Sequence, residues 1–513
     1  MLQSFYFLLI LWSFVIPLQG QNTTEIVVLF TNDYESAYDP TEAYWRPDIN
    51  KIGGVAYIAS MIDSIRSTHE RVFLFDAGDI FTGTLSKLTQ GELPFELMIT
   101  MDYDAMCIGN HEFEYGWETF AQVKSRASFP VLGANLFYKG TEIPYAQPYT
   151  IIEKKGIRLG VVGILGQDAA TALIPSNIAG IEVRDPVPIT RQHLDNLKNE
   201  VDLVVLLTHQ GKTAPMQTND EDPGVKRDIG ADIAFTGAVG GIDILLGGHA
   251  DAGTEEPFVH PETGTLIMQT YGQGFYLGYL KLKINSGTGE IDSYEGKLLP
   301  VDAEKLKPHA QIQQKLQSYR NRYPDIYEKN GRTASRINRQ YNSESDLGNL
   351  FADILRSSTD SQIGMISPGA IRKDLPKGEL LKRDLMDAFP FTDKVYQLQM
   401  QGSVIKEILE QSFTLERGML QLSGMTVVYD MSKPIGSRLI SAKVGKSKLR
   451  DDHTYTVGTV EILAHGGDAF KAFTNAEIIK VMEQPFAEIL LEYAARSPAI
   501  AIPSRGRLIP SRK

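Results

Sequence analysis

Short apolar runs recur through the first 300 positions, and polar residues follow each run at once. The runs lie at residues 26–30, 72–75, 105–108, 203–207 and 244–246. Unbroken apolar runs of this kind are typical of strands buried on both faces, as in a parallel sheet covered by helices. Helical patterns lie between the runs, for example at residues 55–66 and 190–199. This alternation predicts an α/β layered structure for the first part of the chain.

The residues that follow these runs have side chains able to bind metal ions. They are Asp33, Glu35, Asp79, Asn110, His209, His249 and Asp251. In α/β layers, functional groups come from the loops at the carboxyl ends of the strands. Because five strand ends each carry Asp, Asn or His, we expect them to converge on one site.

This set of residues suits a centre of two divalent metal ions. Two ions about 3.5–4 Å apart can hold both the attacking and the leaving oxygen of a phosphoryl group. A carboxylate with two oxygens is the natural bridge between the ions, and imidazoles and an amide oxygen are good terminal ligands. His111 directly follows Asn110, where it is placed to touch a substrate, and Glu114 is spaced to orient it through a hydrogen bond.

Length, composition and charge limit the possible partners. A chain of 513 residues with 42% apolar and 22% charged residues is expected to form two or three globular domains. The net charge of -12 argues against a nucleic-acid polymer as partner, because phosphate backbones require faces rich in Lys and Arg. A small phosphorylated ligand remains compatible, since metal ions supply positive charge locally.

The predicted domain limits follow changes in the pattern. Residues 302–329 form a charged, helix-like segment that contains Pro308 and Pro324, so it is not expected to be one unbroken helix. A second α/β pattern runs over residues 332–507. We therefore predict a signal segment at 1–20, a first domain at 21–301, a connector at 302–331 and a second domain at 332–513.

The ends of the chain suggest secretion. Residues 5–16 form an apolar run that is short for a bilayer span and typical of a secretory signal; the alternative is an N-terminal strand or a disordered segment. The last residues, 503–513, lack the hydrophobic tail of a lipid-anchor signal. The single cysteine, Cys107, excludes an intramolecular disulfide and is predicted to be a buried strand thiol. We expect a secreted, extracellular protein without a membrane anchor.

Five motifs carry a resemblance to a known family. They are Thr31-Asn32-Asp33, Asp76-Ala77-Gly78-Asp79, Gly109-Asn110-His111-Glu112-Phe113, Thr208-His209 and Gly247-Gly248-His249. In this order they resemble the 5'-nucleotidase family, which includes the salivary apyrases of blood-feeding insects. The resemblance implies an N-terminal four-layer αββα metallophosphatase domain, a helical connector and a C-terminal α/β nucleotide-binding domain.

The resemblance also implies roles for the strand-end residues. Asp79 would bridge two divalent metal ions, while Asn110 and His209 would serve one ion. The other ion would lie among or near the remaining candidates, which are Asp33, Glu35, His249 and Asp251. A metal-held hydroxide would attack phosphorus in line, and His111 would stabilise the developing charge.

Three positions depart from the family pattern. Glu35 stands where the family has His, Glu114 where it has Asp, and Asp251 where it has Asn or Gln. All three changes keep or add oxygen ligands, so Ca²⁺, Mg²⁺ or Mn²⁺ is favoured over Zn²⁺. The same changes are compatible with a weakened site.

The second half resembles the substrate-binding part of the family. Its predicted substrate-binding residues are Arg372, Gly369, Phe391, Ile462 and Asp468. By resemblance, the guanidinium of Arg372 would bind phosphate oxygens as a fork donor, Phe391 would stack on the base, and Asp468 would bind ribose hydroxyls. Ile462 replaces the second aromatic wall, which predicts weaker and less selective base binding.

One arginine that the family often carries has no counterpart in its usual place. Ser343 occupies that position before Leu347-Gly348-Asn349, and Arg336 and Arg339 are candidates to replace it.

Three functions remain open from the sequence. The first is a secreted nucleotide phosphohydrolase, either an apyrase acting on ATP and ADP or a 5'-nucleotidase acting on AMP, and the chain looks more like a soluble apyrase. The second is a non-catalytic binder of nucleotides or of a host haemostatic protein, supported by the substituted site residues. The third is a hydrolase of UDP-sugars or cyclic nucleotides. Phosphate release from defined nucleotides distinguishes the three.

Overall fold

The computed structural model describes residues 23–43, 45–211, 228–285, 288–497 and 499–511. The predicted signal segment, residues 1–20, lies outside the described residues, so its role stays a prediction. Within the described ranges, no helix has both the length and the apolar character that a bilayer crossing requires.

The first half of the chain alternates strands and helices. Its strands are β1 (Thr23–Thr31), β2 (Thr41–Glu42), β3 (Lys51–Ile52), β4 (Val72–Asp76), β5 (Ala105–Cys107), β6 (Val131–Leu132), β7 (Leu136–Tyr138), β8 (Tyr149–Lys154), β9 (Ile157–Leu165), β10 (Ile181–Val183), β11 (Leu203–Gln210), β12 (Ile244–His249), β13 (Phe258–Val259), β14 (Leu266–Met268), β15 (Tyr276–Asn285) and β16 (Ile291–Pro300). Its helices are α1 (Val55–Arg66), α2 (Thr84–Leu88), α3 (Glu92–Thr100), α4 (Trp117–Lys124), α5 (Pro186–Leu197) and α6 (Gly230–Val239).

Two six-stranded sheets form the centre of this half. Their strand orders are β16-β15-β1-β4-β5-β6 and β13-β14-β12-β11-β9-β8. Alternate residues of β1 pack on opposite sides: Val28 and Phe30 join the core between the sheets, whereas Val27 and Leu29 join the core beneath α1, α3 and α4. Helices α5 and α6 cover the outer face of the second sheet. The predicted four-layer αββα arrangement is therefore confirmed.

The central strands of each sheet run parallel. In the first sheet β1, β4, β5 and β6 are parallel neighbours, and in the second β9, β11, β12 and β14 are. Their carboxyl ends therefore meet along one edge of each sheet, which brings the polar residues after the strands together.

Helix α5 begins earlier than its hydrophobic pattern indicated. The pattern placed a helix at residues 190–199, but the helix starts at Pro186. The Asp185 side chain accepts a hydrogen bond from the Val187 amide at 3.0 Å, and proline fits the first helical turn, where its missing N–H is not needed. The N-terminal cap, rather than the hydrophobic periodicity, therefore determines where α5 begins.

The connector is broken at its prolines, as the sequence predicts. Helix α7 (Ala310–Arg322) follows Pro308, and a separate single turn at Pro324–Tyr327 follows the helix. Ile312, Leu316 and Tyr319 of α7 pack into the core beside α1 and α3. The connector helix therefore packs with the first half.

The second half is also α/β. Its strands are β17 (Lys329–Thr333), β18 (Ile363–Ile366), β19 (Gly378–Leu381), β20 (Lys394–Gln401), β21 (Gln421–Ser423), β22 (Met425–Tyr429), β23 (Leu439–Val444), β24 (Ser447–Lys448), β25 (Thr454–Val460), β26 (Glu477–Pro485) and β27 (Leu508–Pro510). Its helices are α8 (Asp346–Ser358), α9 (Lys382–Ala388), α10 (Gly402–Ser412), α11 (Glu461–Ala464) and α12 (Phe486–Arg496). The main sheet has the order β21-β18-β25-β20-β26, and a smaller sheet has the order β24-β23-β22-β27.

The two halves touch where α2 meets α9 and the segment that follows α9. The Thr84 amide donates to Asp387 Oδ1 at 3.2 Å, and Lys87 Nζ donates to the Phe391 carbonyl at 2.9 Å. These contacts fix the Phe391 segment against the first half, next to the carboxyl ends of its strands.

Candidate active site

A cleft opens between the two halves. Every site residue predicted from the sequence lines this cleft except His209, which is fully buried beneath it. The metal-binding candidates come from the first half, and the substrate-binding candidates face them from the second. The fold therefore brings together both sets of predicted residues.

Several strand-end residues have left-handed backbone conformations. The φ angles are 47° at Asp33, 42° at Glu35, 61° at Asp79, 70° at His249 and 50° at Asp251. Such angles are uncommon for residues other than glycine and persist where the surrounding structure imposes them. Their concentration at one edge of the two sheets marks this edge as the functional one.

Asp79 is the central carboxylate of the cleft. Its Oδ1 accepts a hydrogen bond from the His111 amide at 2.7 Å, and its Oδ2 lies 3.0 Å from Nε2 of His209. Burial alone would raise the pKa of Asp79, but the charges of His209 and His111 outweigh it and hold the pKa below its ordinary value. Asp79 is therefore ionised at neutral pH.

His209 has one ring nitrogen fixed by the backbone. Its Nδ1 lies 2.8 Å from the Ala77 carbonyl, so this nitrogen donates and Nε2 faces the cleft. Nε2 is 3.1 Å from Asn110 Oδ1 and 4.0 Å from Asp33 Oδ1. Without a bound ion, burial lowers the pKa of His209 but the nearby Asp79 carboxylate raises it more strongly, to about 10. An ion held at Nε2 would displace this proton.

His249 completes this group. Its ring centre is 5.0 Å from that of His209, and its amide donates to Asp33 Oδ2 at 2.8 Å. Its Nε2 is buried and has no hydrogen-bond partner among the described residues. Burial, followed by the charge of His209, lowers the pKa of His249 well below its ordinary value, so the ring is neutral. A neutral, buried imidazole is the form that binds a metal ion.

The ligand atoms form two overlapping groups. Asp79, His209 and His249 each offer one ligand atom within 4.8 Å of the others, and so do Glu35, Asp79 and His111. Asp79 belongs to both groups, which is the arrangement that a bridging carboxylate requires. The buried donors of this chain therefore fit divalent metal ions.

Glu35 contacts residues from both halves. Its Oε2 accepts from Gln273 Nε2 at 3.0 Å, and its Oε1 lies 3.3 Å from His111 Nε2 and 3.4 Å from Arg372 Nη1. Burial raises the pKa of Glu35, and the charges of Arg372 and His111 partly oppose this rise. Glu35 thus links the candidate metal ligands of the first half to Arg372 of the second half.

His111 is oriented by a network on the other side of its ring. Its Nδ1 lies 3.0 Å from Glu114 Oε2 and 2.9 Å from Thr82 Oγ1, which itself donates to Glu114 at 2.7 Å. Burial lowers the pKa of His111, but Asp79 and Glu114 together raise it to about 9. The imidazolium therefore directs Nε2 into the cleft at neutral pH.

Glu112 holds two loops of the site together, although the sequence analysis gave it no role. Its carboxylate is fully buried and accepts the backbone amides of Gly109 at 2.6 Å, Ile80 at 2.8 Å and Asp79 at 3.0 Å. These amides belong to the loops after β5 and β4. The position of a charged residue directly after Asn110 and His111 was the one sequence feature that could have indicated this role.

The substrate-side residues face this centre. The Phe391 ring stacks against the His111 ring at 6.1 Å and 23°, and the Arg372 guanidinium lies 5.2 Å from the Phe391 centroid. Arg372 Nη2 is 3.2 Å from His111 Nε2.

The other predicted substrate-binding residues also lie in the second half. The Ile462 amide donates to Asp393 Oδ1 at 2.9 Å, and Asp468 has a left-handed backbone with φ 51°. Gly369 lies beside Asp468.

The structure distinguishes the two candidate replacement arginines. Arg339 lines the cleft, whereas Arg336 lies outside its lining and pairs with Asp374 at 2.7 Å. Sequence reasoning also missed an apolar wall of the cleft, formed by Leu173 and Ile174. These two residues lie between short helical turns and carry no motif.

Comparisons with known proteins agree with this architecture. The calcineurin-like phosphoesterase family matches residues 28–250, and the 5'-nucleotidase C-terminal domain matches residues 326–475. A 5'-nucleotidase of Vibrio cholerae is 25% identical over 94% of this chain and 92% of its own length. A snake venom 5'-nucleotidase of Crotalus adamanteus is 28% identical over 87% of this chain and 82% of its own.

Solved structures agree on the fold. The crystal structure of a 5'-nucleotidase precursor from Thermus thermophilus has a TM-score of 0.83 and 23% identity, covering 96% of this chain and all of that one. The two family matches together span most of the present chain, in the order that the fold displays. This chain therefore belongs to the 5'-nucleotidase family, with a calcineurin-like phosphoesterase region followed by a 5'-nucleotidase C-terminal domain.

Proposed function

We propose that this protein is a secreted, divalent-metal-dependent hydrolase that removes phosphate from extracellular nucleotides. The observation that carries the proposal is the Asp79 carboxylate, which both groups of ligand atoms share at the base of the cleft. Family membership supports a metal-dependent nucleotide phosphohydrolase.

The candidate ligands would divide between two divalent ions on either side of Asp79. Asn110, His209 and His249 would hold one ion, because the His249 ring lies beside that of His209 and Asn110 Oδ1 lies near His209 Nε2. This grouping differs from the expectation that placed His249 with Asp33. Asp33, Glu35 and Asp251 would hold the other ion, and their oxygen atoms would favour Ca²⁺, Mg²⁺ or Mn²⁺ over Zn²⁺. When bound, such ions polarise the phosphoryl group and lower the pKa of water.

Two cationic side chains act on the phosphoryl oxygens. His111 is an imidazolium whose Nε2 faces the cleft, so it can donate a hydrogen bond to charge that develops during hydrolysis. Glu114 and Thr82 hold its ring in this orientation. The Arg372 guanidinium lies beside it and presents a planar fork of donors that suits phosphate.

The nucleoside binds where the second half supplies apolar walls. Phe391 provides an aromatic face, Ile462 an aliphatic one, and Asp468 a carboxylate for ribose hydroxyls. Stacking on an aromatic residue contributes about 1–3 kcal/mol per base. Because one wall is aliphatic, we expect weak discrimination between bases.

Extracellular location and phosphate preference are also part of the proposal. Residues 1–20 have the composition of a secretory signal, and one relative is a snake venom 5'-nucleotidase. The relatives are named 5'-nucleotidases, which favours a nucleoside 5'-monophosphate such as AMP. The resemblance to soluble apyrases instead implies ATP and ADP.

One observation favours a second candidate, a weakened enzyme that binds nucleotides or a host haemostatic protein. Glu35 lies 3.4 Å from Arg372 and 3.3 Å from His111, the two cations that would otherwise face phosphate. A carboxylate in this position competes with the substrate for both of them.

The test is phosphate release from ATP, ADP and AMP by the purified protein with Ca²⁺, Mg²⁺, Mn²⁺, Zn²⁺ or EDTA. Metal-dependent release from ATP and ADP alone identifies an apyrase, and release from AMP identifies a 5'-nucleotidase. UDP-glucose and a cyclic nucleotide serve as comparison substrates. If folded protein releases no phosphate with any metal, the enzymatic proposal fails and the binding candidate replaces it.

A further inference from the structure

Helix α2 belongs to the first half and contacts the second half at two points. Thr84 and Lys87 are three residues apart, so they lie on the same face of this short helix. The amide and the hydroxyl of Thr84 both donate to Asp387 Oδ1, at 3.2 and 2.5 Å, and Lys87 Nζ donates to the Phe391 carbonyl at 2.9 Å. The two contacts lie at either end of the Phe391 segment, residues 387–391, which therefore rests on α2.

The backbone around Phe391 has little hydrogen bonding within its own half. Before it, the Phe389 amide donates to a carbonyl of α9 at 3.1 Å, and after it the Asp393 carbonyl accepts an amide of α12 at 2.9 Å. Over residues 390–392, the bond from Lys87 is the one hydrogen bond to backbone atoms that the described part of the chain makes. The position of Phe391 therefore depends on a residue of the other half.

Lys87 reaches this backbone from beside the group that orients His111. Lys87, Glu114 and Thr392 line one cavity on the outer side of the contact between the halves. On the inner side, the Phe391 ring stacks on the His111 ring at 6.1 Å and 23°, and Glu114 holds that ring at 3.0 Å. A shift of Phe391 would therefore change the distance between the aromatic face for a base and the centre where phosphate would react.

We propose that Lys87 is a positioning residue for the nucleoside: it holds Phe391 where a base can stack while the phosphate lies at the Asp79 centre. This proposal rests on the proposed nucleotide phosphohydrolase function, in which Phe391 stacks on the base. Lys87 donates to a backbone carbonyl and lies outside the lining of the cleft, so it acts through Phe391 and not on the phosphate. A residue of the first half thus sets the strength of base binding in the second.

The variant Lys87→Met, which keeps the length of the side chain and removes the donor, should raise KM for AMP or ADP, whichever the wild type hydrolyses, by roughly 10-fold. The value of kcat and the inhibition by inorganic phosphate, which has no base, should stay unchanged, because the residues that face phosphate are intact. Lys87→Arg keeps a donor and should recover most of the KM. Lys198→Met is the matched control, since the Lys198 side chain is 64% exposed and lies outside the cleft lining. Thermal unfolding of each variant checks the fold.

An unchanged KM in Lys87→Met, or an equal weakening of nucleotide turnover and of phosphate inhibition, would overturn the positioning role while leaving the hydrolase proposal intact. If the wild type releases no phosphate from any nucleotide, the proposed function fails, and calorimetry of AMP binding in EDTA decides on Lys87 by itself. Weaker AMP binding by Lys87→Met than by Lys198→Met, with equal binding of inorganic phosphate, supports its role. Equal AMP binding by the two variants, or no AMP binding by the wild type, overturns it.

Discussion

Glu35 is the residue where the two candidate functions separate. The same carboxylate is close enough to Asp79 to share a metal ion with it and close enough to Arg372 to pair with it. Which contact dominates depends on whether an ion is bound. A glutamate in place of the family's histidine adds negative charge and removes a ligand that Zn²⁺ prefers.

Replacing Glu35 by histidine should shift the metal preference toward Zn²⁺ and Mn²⁺. An imidazole is a better ligand for these ions than for Ca²⁺ or Mg²⁺. The check is the affinity for each ion by calorimetry, alongside the activity with each ion. Glu35→Gln, which keeps the shape and removes the charge, is the control. An unchanged metal profile in Glu35→His would show that Glu35 is not a ligand.

At the scale of elements, the site depends on loops that follow parallel strands. The loops after β4 and β5 carry Asp79 and Asn110, and the buried carboxylate of Glu112 accepts amides from both loops. One side chain therefore fixes the spacing between two candidate ligands. Removing the acceptor of several buried amides lowers the free energy of unfolding far more than removing an exposed charge does.

The variant Glu112→Ala should lower the free energy of unfolding by about 3 kcal/mol or more, since the amides of Gly109, Ile80 and Asp79 lose their acceptor. Metal affinity should fall as well, because Asp79 is no longer held. Chemical denaturation with and without metal measures both effects. Glu118→Ala, at an exposed position of α4, is the control and should stay within about 0.5 kcal/mol of the wild type. If the two variants have equal free energies of unfolding, the structural role assigned to Glu112 is wrong.

The strand ends were predictable from the sequence because an unbroken apolar run followed by a polar residue is a local pattern. Residues 72–75 before Asp79 and 203–207 before His209 both lie in strands as predicted. The start of α5 was not predictable in this way, because the Asp185 cap begins the helix before its periodic apolar positions. Arg417 could not be predicted as a cleft residue, because its position depends on the packing of Gly418 against the Tyr341 ring.

At the scale of the whole molecule, the cleft joins unlike charges from the two halves. The first half buries several carboxylates, among them Asp33 and Asp79, and the second half brings Arg372 and Arg417 toward them. Burial raises the pKa of Asp33 to about 7, although the charge of His209 opposes the rise. The folded state therefore retains a proton that the unfolded chain loses near pH 4.

Divalent metal should raise the melting temperature, and EDTA should lower it. An ion that binds only the folded state stabilises it by about 2.7 kcal/mol at 100 times its Kd. Without metal, Asp33 makes stability fall as pH rises from about 4 to about 7, because its folded-state pKa is raised. Metal replaces that proton, so the gain in melting temperature with Mg²⁺ or Mn²⁺ should be larger at pH 8 than at pH 5. Equal melting curves with metal and with EDTA at pH 8 would contradict a metal centre.

The most direct test of the central claim is phosphate release from AMP and ADP by the wild type and by Asp79→Asn, each with Mn²⁺, Mg²⁺ or EDTA. The substitution keeps the shape of the side chain and removes the charge that both ligand groups share. We predict metal-dependent release by the wild type and release at background level by Asp79→Asn. Release at the wild-type rate by Asp79→Asn, or release by the wild type that EDTA does not affect, would contradict the account.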